Sequence, residues 1–215
     1  MKTYFGATLL AVACAGTSSA NLLRSLGGNS NTLVASFDFD DLQATVTLKQ
    51  SDSNRQEGSA KWKVVVDHWN DDLCPGGQLN WHIHETPGTG IRDVSAGATN
   101  TGNAVGCGKD DTGGHYDPTF ACGAASQNRA NGLCDAIDDT LGDSYDCSTD
   151  EQYNCEIGDQ SGKLGKIDAQ NCNKQKFIDN WINDIASIEG RSLVLHCCDS
   201  TTCGPRLACA NLEIA

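Results

Sequence analysis

Positive charge is scarce in this chain of 215 residues: 15 lysines and arginines face 28 aspartates and glutamates, a formal net charge of −13. So acidic a surface disfavours nucleic acid and anionic membrane as partners. Long apolar runs are lacking too. The apolar stretch at residues 7 to 15 is too short for a bilayer, which needs roughly 20 residues. The closing "RLACANLEIA" offers no hydrophobic tail for a lipid anchor. No N-x-S/T sequon occurs, so N-glycosylation is not expected. There is no internal repeat and no low-complexity tract. One methionine and four prolines against 23 glycines point to a loop-rich β protein.

What is present begins with a leader. "MKTYFGATLLAVACAGTSSA" has a single basic residue, Lys2, a short apolar core and the small-residue ending Ser18-Ser19-Ala20. Residues 1–20 are therefore expected to be a signal peptide cleaved after Ala20, leaving a soluble, secreted protein of net charge −14. The twelve cysteines suit an oxidising compartment. Cys14 leaves with the leader, and the odd remainder of eleven implies one unpaired thiol or an intermolecular bridge. Spacing alone does not give the pairing. The segment "HCCDSTTC" admits a thiolate metal site, but in an exported chain disulfides are favoured; Cys197 and Cys198 alternate faces and are expected to have different partners. The length suits one filled core, with residues 21–31 as a short linker and 32–215 as one domain.

Four runs of strand length follow the linker: "TLVASFDFDD", "LQATVTLKQSD", "AKWKVVVDHWN" and "QLNWHIHE", separated by turn residues. That rhythm predicts an antiparallel sandwich or barrel. Between residues 86 and 158 the alternation dissolves into Gly, Asp, Asn and the cysteines 107, 122, 134, 147 and 155. Loops this long are functional or stapled. "FIDNWINDIASI" (177–188) is ambiguous, its apolar positions fitting a helical period and its Ile-rich alternation a strand, and is read as an irregular loop entering a strand. "RSLVLHC" (191–197) reads as a strand with Leu193 and Leu195 on one face and Val194 and His196 on the other, and "PRLACANLEI" as a last strand.

The chain has five histidines, at 68, 82, 84, 115 and 196. In "WHIHE", His82 and His84 are two residues apart on a predicted strand. They share a face about 6.6 Å apart, a reach suited to one metal ion. His115 lies in the glycine-rich "TGGHYDP" and His196 on a later strand. Four imidazoles would suit copper, with zinc as the runner-up. Taken singly, His196 could equally be a satisfied core group and His115 a turn cap.

The motifs "WHIHE", "GCGKDDTGGHYDP", "GD" at 158–159, "GRSLVLH" and "GPRLACA" occur in the order and approximate spacing of the copper/zinc superoxide dismutase family, which the chain resembles over residues 32–215. The resemblance implies an all-β, eight-stranded antiparallel Greek-key barrel or sandwich with long disulfide-stapled loops. It makes His82 and His84 the paired copper ligands, His115 the histidine that bridges copper and zinc, and His196 the fourth copper ligand. Cys107 and Cys209 match the family's disulfide, and Arg206 its active-site arginine.

Two departures are informative. No histidine lies between His115 and Asp159, where the zinc site needs two; Cys155 stands near one expected position, and His68, upstream on a strand, cannot substitute. Zinc is therefore not expected. Only nine residues separate His196 from Arg206, where zinc-binding members carry a long electrostatic loop. Both losses resemble the secreted copper-only branch, in which a glutamate three residues before the aspartate supports the bridging-position histidine; Glu156 and Asp159 have that spacing. With no zinc, the second nitrogen of His115 needs a partner, and a carboxylate is the usual one.

The implied activity is conversion of superoxide to oxygen and hydrogen peroxide by one copper per chain in a monomer or weak homo-oligomer. Arg206 would bind the anion, and His115 with Glu156 would handle protons. A secreted copper-buffering protein and a disulfide-stabilised interaction module, using the cysteine-rich insertion at 122–155, are the competing expectations.

Overall fold

The computed structural model describes residues 31–50, 59–92, 103–135, 145–170, 174–182, 184–198 and 203–215. The expected signal peptide and nearly all of the linker lie outside these residues. So do Cys172 and the side chains of Cys198 and Cys203.

The period-2 runs become strands because every second side chain is apolar and finds a core. In β1 (Thr32–Phe39) these are Leu33, Ala35 and Phe37. In β2 (Leu42–Gln50) they are Leu42, Ala44, Val46 and Leu48, and in β3 (Ala60–Trp69) Ala60, Trp62, Val64 and Val66. A bulge between Gln43 and Ala44 resets the phase, so Trp69 is buried and His68 pairs with Gln43 off the core face. The remaining strands are β4 (Gln78–Ile83), β5 (Gly90–Ile91), β6 (Ile167–Asp168), β7 (Lys174–Asp179), β8 (Ser192–Cys198), β9 (Cys203–Asn211) and β10 (Glu213–Ile214).

They form two five-stranded antiparallel sheets, ordered β10-β1-β2-β3-β7 and β5-β9-β8-β4-β6. Each sheet is open. Of the expected antiparallel barrel or sandwich, the described residues show the two-layered form over one core, with ten strands, three of them two residues long, and no sheet closed into a barrel. Trp62 of β3 meets Trp81 of β4 edge-on at 5.1 Å, and Trp81 lies 5.3 Å from Phe177 of β7, so aromatic side chains tie the layers together. The stretch 177–188 differs from the expected loop and strand. Its start belongs to β7 and its end forms a 3-10 turn, Ile185–Ile188, which buries both isoleucines and is capped by the Asp184 carboxylate.

Among the described residues, four disulfides staple what the sheets leave irregular: Cys74–Cys197, Cys107–Cys209, Cys122–Cys134 and Cys147–Cys155. None of the cysteines whose side chains are described is free. A short helix, Gln160–Leu164, follows Asp159, whose carboxylate caps it by accepting from the Gly162 amide. Its Lys163 is fully buried and reaches Asp179 of β7 at 2.8 Å. Removing either partner would strand a buried charge, at a cost of about 3–5 kcal/mol. No helix among the described residues is long and apolar enough to cross a membrane.

Candidate metal centre

In β4, Leu79, Trp81 and Ile83 point into the core. Asn80, His82 and, just past the strand, His84 consequently face the other way. β8 lies alongside, with Asn80 opposite His196 and His82 opposite Val194. The partner of β8 is β9, and here the ladder breaks in a useful way. A regular strand that sends Cys209 outward would also send Leu207 outward and turn Arg206 to the core. A register shift between Leu195 and His196 reverses this: Leu207 joins the core and Arg206 pairs directly with His196.

His115 arrives by a different route. It forms isolated bridges to His84 and to Ser126, and its amide donates to the Ala125 carbonyl at 2.8 Å. The rings of His82 and His115 stack with centroids 4.1 Å apart; His84 and His115 are at 5.1 Å, edge to face. One ligand atom from each of His82, His84 and His115 lies within 4.8 Å of the others. His196 is outside that set but adjacent, its ring 4.9 Å from His82 and 5.7 Å from His84.

Each imidazole has one nitrogen engaged by the protein. His84 Nδ1 meets the Gly113 carbonyl at 3.0 Å, His115 Nδ1 meets Glu156 Oε2 at 2.6 Å, and His82 Nε2 is 3.5 Å from Asp159 Oδ1. His196 has a backbone hydrogen bond to Gly204. The other nitrogens of three of them, His82 Nδ1, His84 Nε2 and His196 Nε2, are buried without a hydrogen-bond partner. Burial, reinforced by the neighbouring His115, holds His82 and His84 well below the usual histidine range and His196 at about 3. At neutral pH these rings are uncharged, and their bare nitrogens carry lone pairs. Buried polar atoms left without partners are rare unless something binds them. Neutral imidazoles whose far nitrogens are bonded to carbonyls or carboxylates form the usual inner and outer shells of a transition-metal site. The donor set fits a copper ion.

The guanidinium of Arg206 is held by four acceptors. Nη1 donates to the Cys107 carbonyl at 3.0 Å, the Gly108 carbonyl at 2.8 Å and Thr112 Oγ1 at 2.6 Å, and Nη2 to the Gly113 carbonyl at 2.7 Å. The Gly113 oxygen thus serves both Arg206 and His84. Cys107–Cys209 ties this carbonyl-bearing loop to the strand that carries the arginine. A cavity of about 570 Å³ opens over the site, lined by His82, His115, His196, Asp159, Lys166 and Arg206 among others. A larger hollow of about 680 Å³ lies by Glu85, Asp110 and Tyr116 but holds none of the four histidines. The smaller cavity is therefore the candidate.

Several participants had no signal in the sequence. Tyr145 donates to Asp159 Oδ2 at 2.9 Å and its hydroxyl accepts from the Glu156 amide at 3.1 Å, and burial beside these two acids pushes its phenol up. The Cys147–Cys155 bridge, spanning eight positions, folds it back there. Lys166 and Asn103, whose side chain accepts from the Arg206 amide at 2.9 Å, are likewise visible only in three dimensions. Cys155 is spent in its disulfide, and His68 sits in the other sheet.

No family model matches this chain, and no curated protein matches it either. Solved structures do. Candida albicans superoxide dismutase 5 in its copper(II) form aligns with a TM-score of 0.51 and 22% identity over 86% of this chain and 93% of that one. Its glutamate-to-glutamine mutant aligns with a TM-score of 0.51 and 21% identity, covering 86% and 92%. The chain thus has a superoxide-dismutase-like fold, and its resemblance to the copper/zinc superoxide dismutases extends from five short motifs to the architecture.

Proposed function

We propose that this chain is a secreted copper-dependent superoxide dismutase that converts superoxide to oxygen and hydrogen peroxide, with no zinc and no electrostatic loop. The observation that carries this is the convergence of four imidazoles, three of which, His82, His84 and His196, are uncharged and each keep a buried nitrogen with no partner. His82 Nδ1, His84 Nε2, His115 Nε2 and His196 Nε2 would hold one copper ion. Copper bound there supplies one-electron redox chemistry in both directions.

The chain's own groups do the rest. Arg206 presents a fixed positive charge to a diatomic anion, and its Nε is engaged by none of the described residues. Peroxide formation needs protons, and the His115 Nδ1–Glu156 Oε2 contact at 2.6 Å, between a buried carboxylate and a ring that lines the cavity, would relay one. Glu156 occupies the His115 nitrogen that a zinc ion would need, and Cys155 is bonded to Cys147; both support the expectation of copper alone. The four disulfides support export, with residues 1–20 as leader, 21–31 as linker and 32–215 as a single domain, monomeric or weakly associated. A storage protein would have no use for an arginine braced by four acceptors beside the ion.

The test is metal analysis of the oxidised mature protein after copper loading, followed by direct superoxide-decay kinetics, with His196→Ala as control. One copper, no zinc and fast decay lost in the variant is the expected result. Copper without decay would indicate storage, and no copper uptake would indicate an interaction module.

A further inference from the structure

Three separate stretches of chain supply the centre's side chains: His82 and His84 flank Ile83, His115 precedes Tyr116, and Glu156 and Asp159 bracket Gly158. The three intervening residues are joined to one another by backbone alone. The Tyr116 amide donates to the Ile83 carbonyl at 2.9 Å, the Ile83 amide to the Gly158 carbonyl at 2.9 Å, and the Gly158 amide to the Tyr116 carbonyl at 2.8 Å. The bonds close a ring of three. Two corners are reinforced by side chains: Gln160 Oε1 also accepts from the Ile83 amide at 3.1 Å, and the Arg191 guanidinium covers the Tyr116 ring at 3.7 Å. Beside Gly158, the Ile157 carbonyl accepts from Gln160 Nε2 at 2.9 Å and Lys163 Nζ at 2.8 Å.

We infer that Gly158 is a positioning residue: its missing side chain lets this backbone ring close, and the ring sets the distances from Glu156 to His115 and from Asp159 to His82. Its φ lies outside the left-handed region, so the requirement is space. A Cβ at this position would overlap the Ile83 carbonyl oxygen and stand 2.8 Å and 2.9 Å from the Tyr116 amide nitrogen and carbonyl oxygen. Ile83 and Gly158 are both buried, and the braces on Ile157 leave the 156–159 segment no room to retreat without drawing both carboxylates off their imidazoles. Because those contacts decide which nitrogen each ring presents, a displacement of a few tenths of an ångström reaches the metal site while the sheets stay intact.

The inference rests on the copper site proposed above, and its test separates the two. Copper affinity by chelator competition and the cupric electron paramagnetic resonance spectrum are measured for wild type, Gly158→Ala and Gly77→Ala. Gly77 is a control crowded by Gln170, at 2.6 Å and 2.8 Å from a would-be Cβ, and makes none of the ring's bonds. Gly158→Ala is expected to weaken copper about 10- to 100-fold and to shift the spectrum, whereas Gly77→Ala lowers the melting temperature and leaves both unchanged. A Gly158→Ala protein with wild-type affinity and spectrum overturns the inference and leaves the function standing; a wild type that takes up no copper overturns the function. Amide hydrogen exchange on the wild-type protein decides the matter if Gly158→Ala does not fold. The amides of Ile83, Tyr116 and Gly158 should open together at one rate, and three unrelated rates would refute a closed ring.

Discussion

The centre is borne by two kinds of scaffold. His82, His196 and Arg206 belong to the ladder β4-β8-β9, where antiparallel register sets them side by side. His115, Glu156 and Asp159 stand on loops with no ladder, held by two disulfides, a helix cap and a ring of backbone bonds. A ladder spreads the positioning of one side chain over many cooperative bonds, so single losses are absorbed. A loop depends on a few local contacts, each carrying a large share. The ladder half should therefore tolerate change in its surroundings, while the loop half should fail piece by piece.

The largest effect is expected where the halves meet. Arg206 sits on β9 but is held by loop carbonyls, and local positive potential raises association rates about 10- to 10³-fold. Arg206→Ala should lower the second-order rate constant for superoxide by a factor in that range and flatten its ionic-strength dependence, as read by pulse radiolysis. Lys166→Ala, removing the other cation of the cavity, should do the same to a smaller degree. A wild-type rate indifferent to salt would refute this account of steering in so acidic a molecule.

Opening the loop's main staple comes next. Cys107 and Cys209 are 102 positions apart, and replacing both by serine should cost about 2–5 kcal/mol in chemical denaturation. It should also cut activity, because the carbonyls of residues 107, 108 and 113 would no longer fix the guanidinium. Equal loss of stability on breaking Cys74–Cys197, with activity retained, would sharpen the contrast between the halves.

Proton linkage gives a third effect, seen in the metal-free protein. His82, His84 and His196 have folded pKa values depressed below 6.5, to about 3 for His196. Below pH 6.5 the unfolded chain binds protons that the folded chain does not. Stability should fall as the pH drops from 6.5 towards 3, by at most about 1.4 kcal/mol per pH unit for each histidine. Copper loading should oppose the fall, because the metal binds only the neutral rings. A flat profile in urea melts between pH 6.5 and 4.5 would show that these rings are not buried neutral. The smallest effect is Tyr145→Phe, which removes the hydrogen bonds to Asp159 and from the Glu156 amide and should cost about 0.5–1.5 kcal/mol for each, with a modest loss of rate.

Much of the sheet was legible because alternation is a local property. The four runs before residue 86 became β1 to β4 within a few residues, and Leu193 and Leu195 lie in the core as their spacing required. Residues 177–188 misled because isoleucines at mixed spacing fit a helix and a strand alike; Asp179, buried by its bond to Lys163, ends the strand there. The described residues show ten strands where eight were expected, for a related reason. Two-residue strands such as β5, β6 and β10 leave no periodic trace, and closure depends on edges that no local pattern describes. At the centre, the five short motifs named the four histidines, Asp159 and Arg206, and the three-residue spacing before Asp159 named Glu156. Tyr145 and Lys166 escaped because neither spacing nor residue type marks them.

By itself the sequence determined an acidic, cysteine-rich β chain with histidines at 82, 84, 115 and 196, since composition, alternation and residue identity need no partner to be read. Only the tertiary structure decided which nitrogen of each ring is bare, that Arg206 turns outward beside His196, and that Glu156 meets His115. Those depend on a register shift, on disulfides closing over long separations and on backbone bonds between remote segments. Such contacts exist only once the chain has packed.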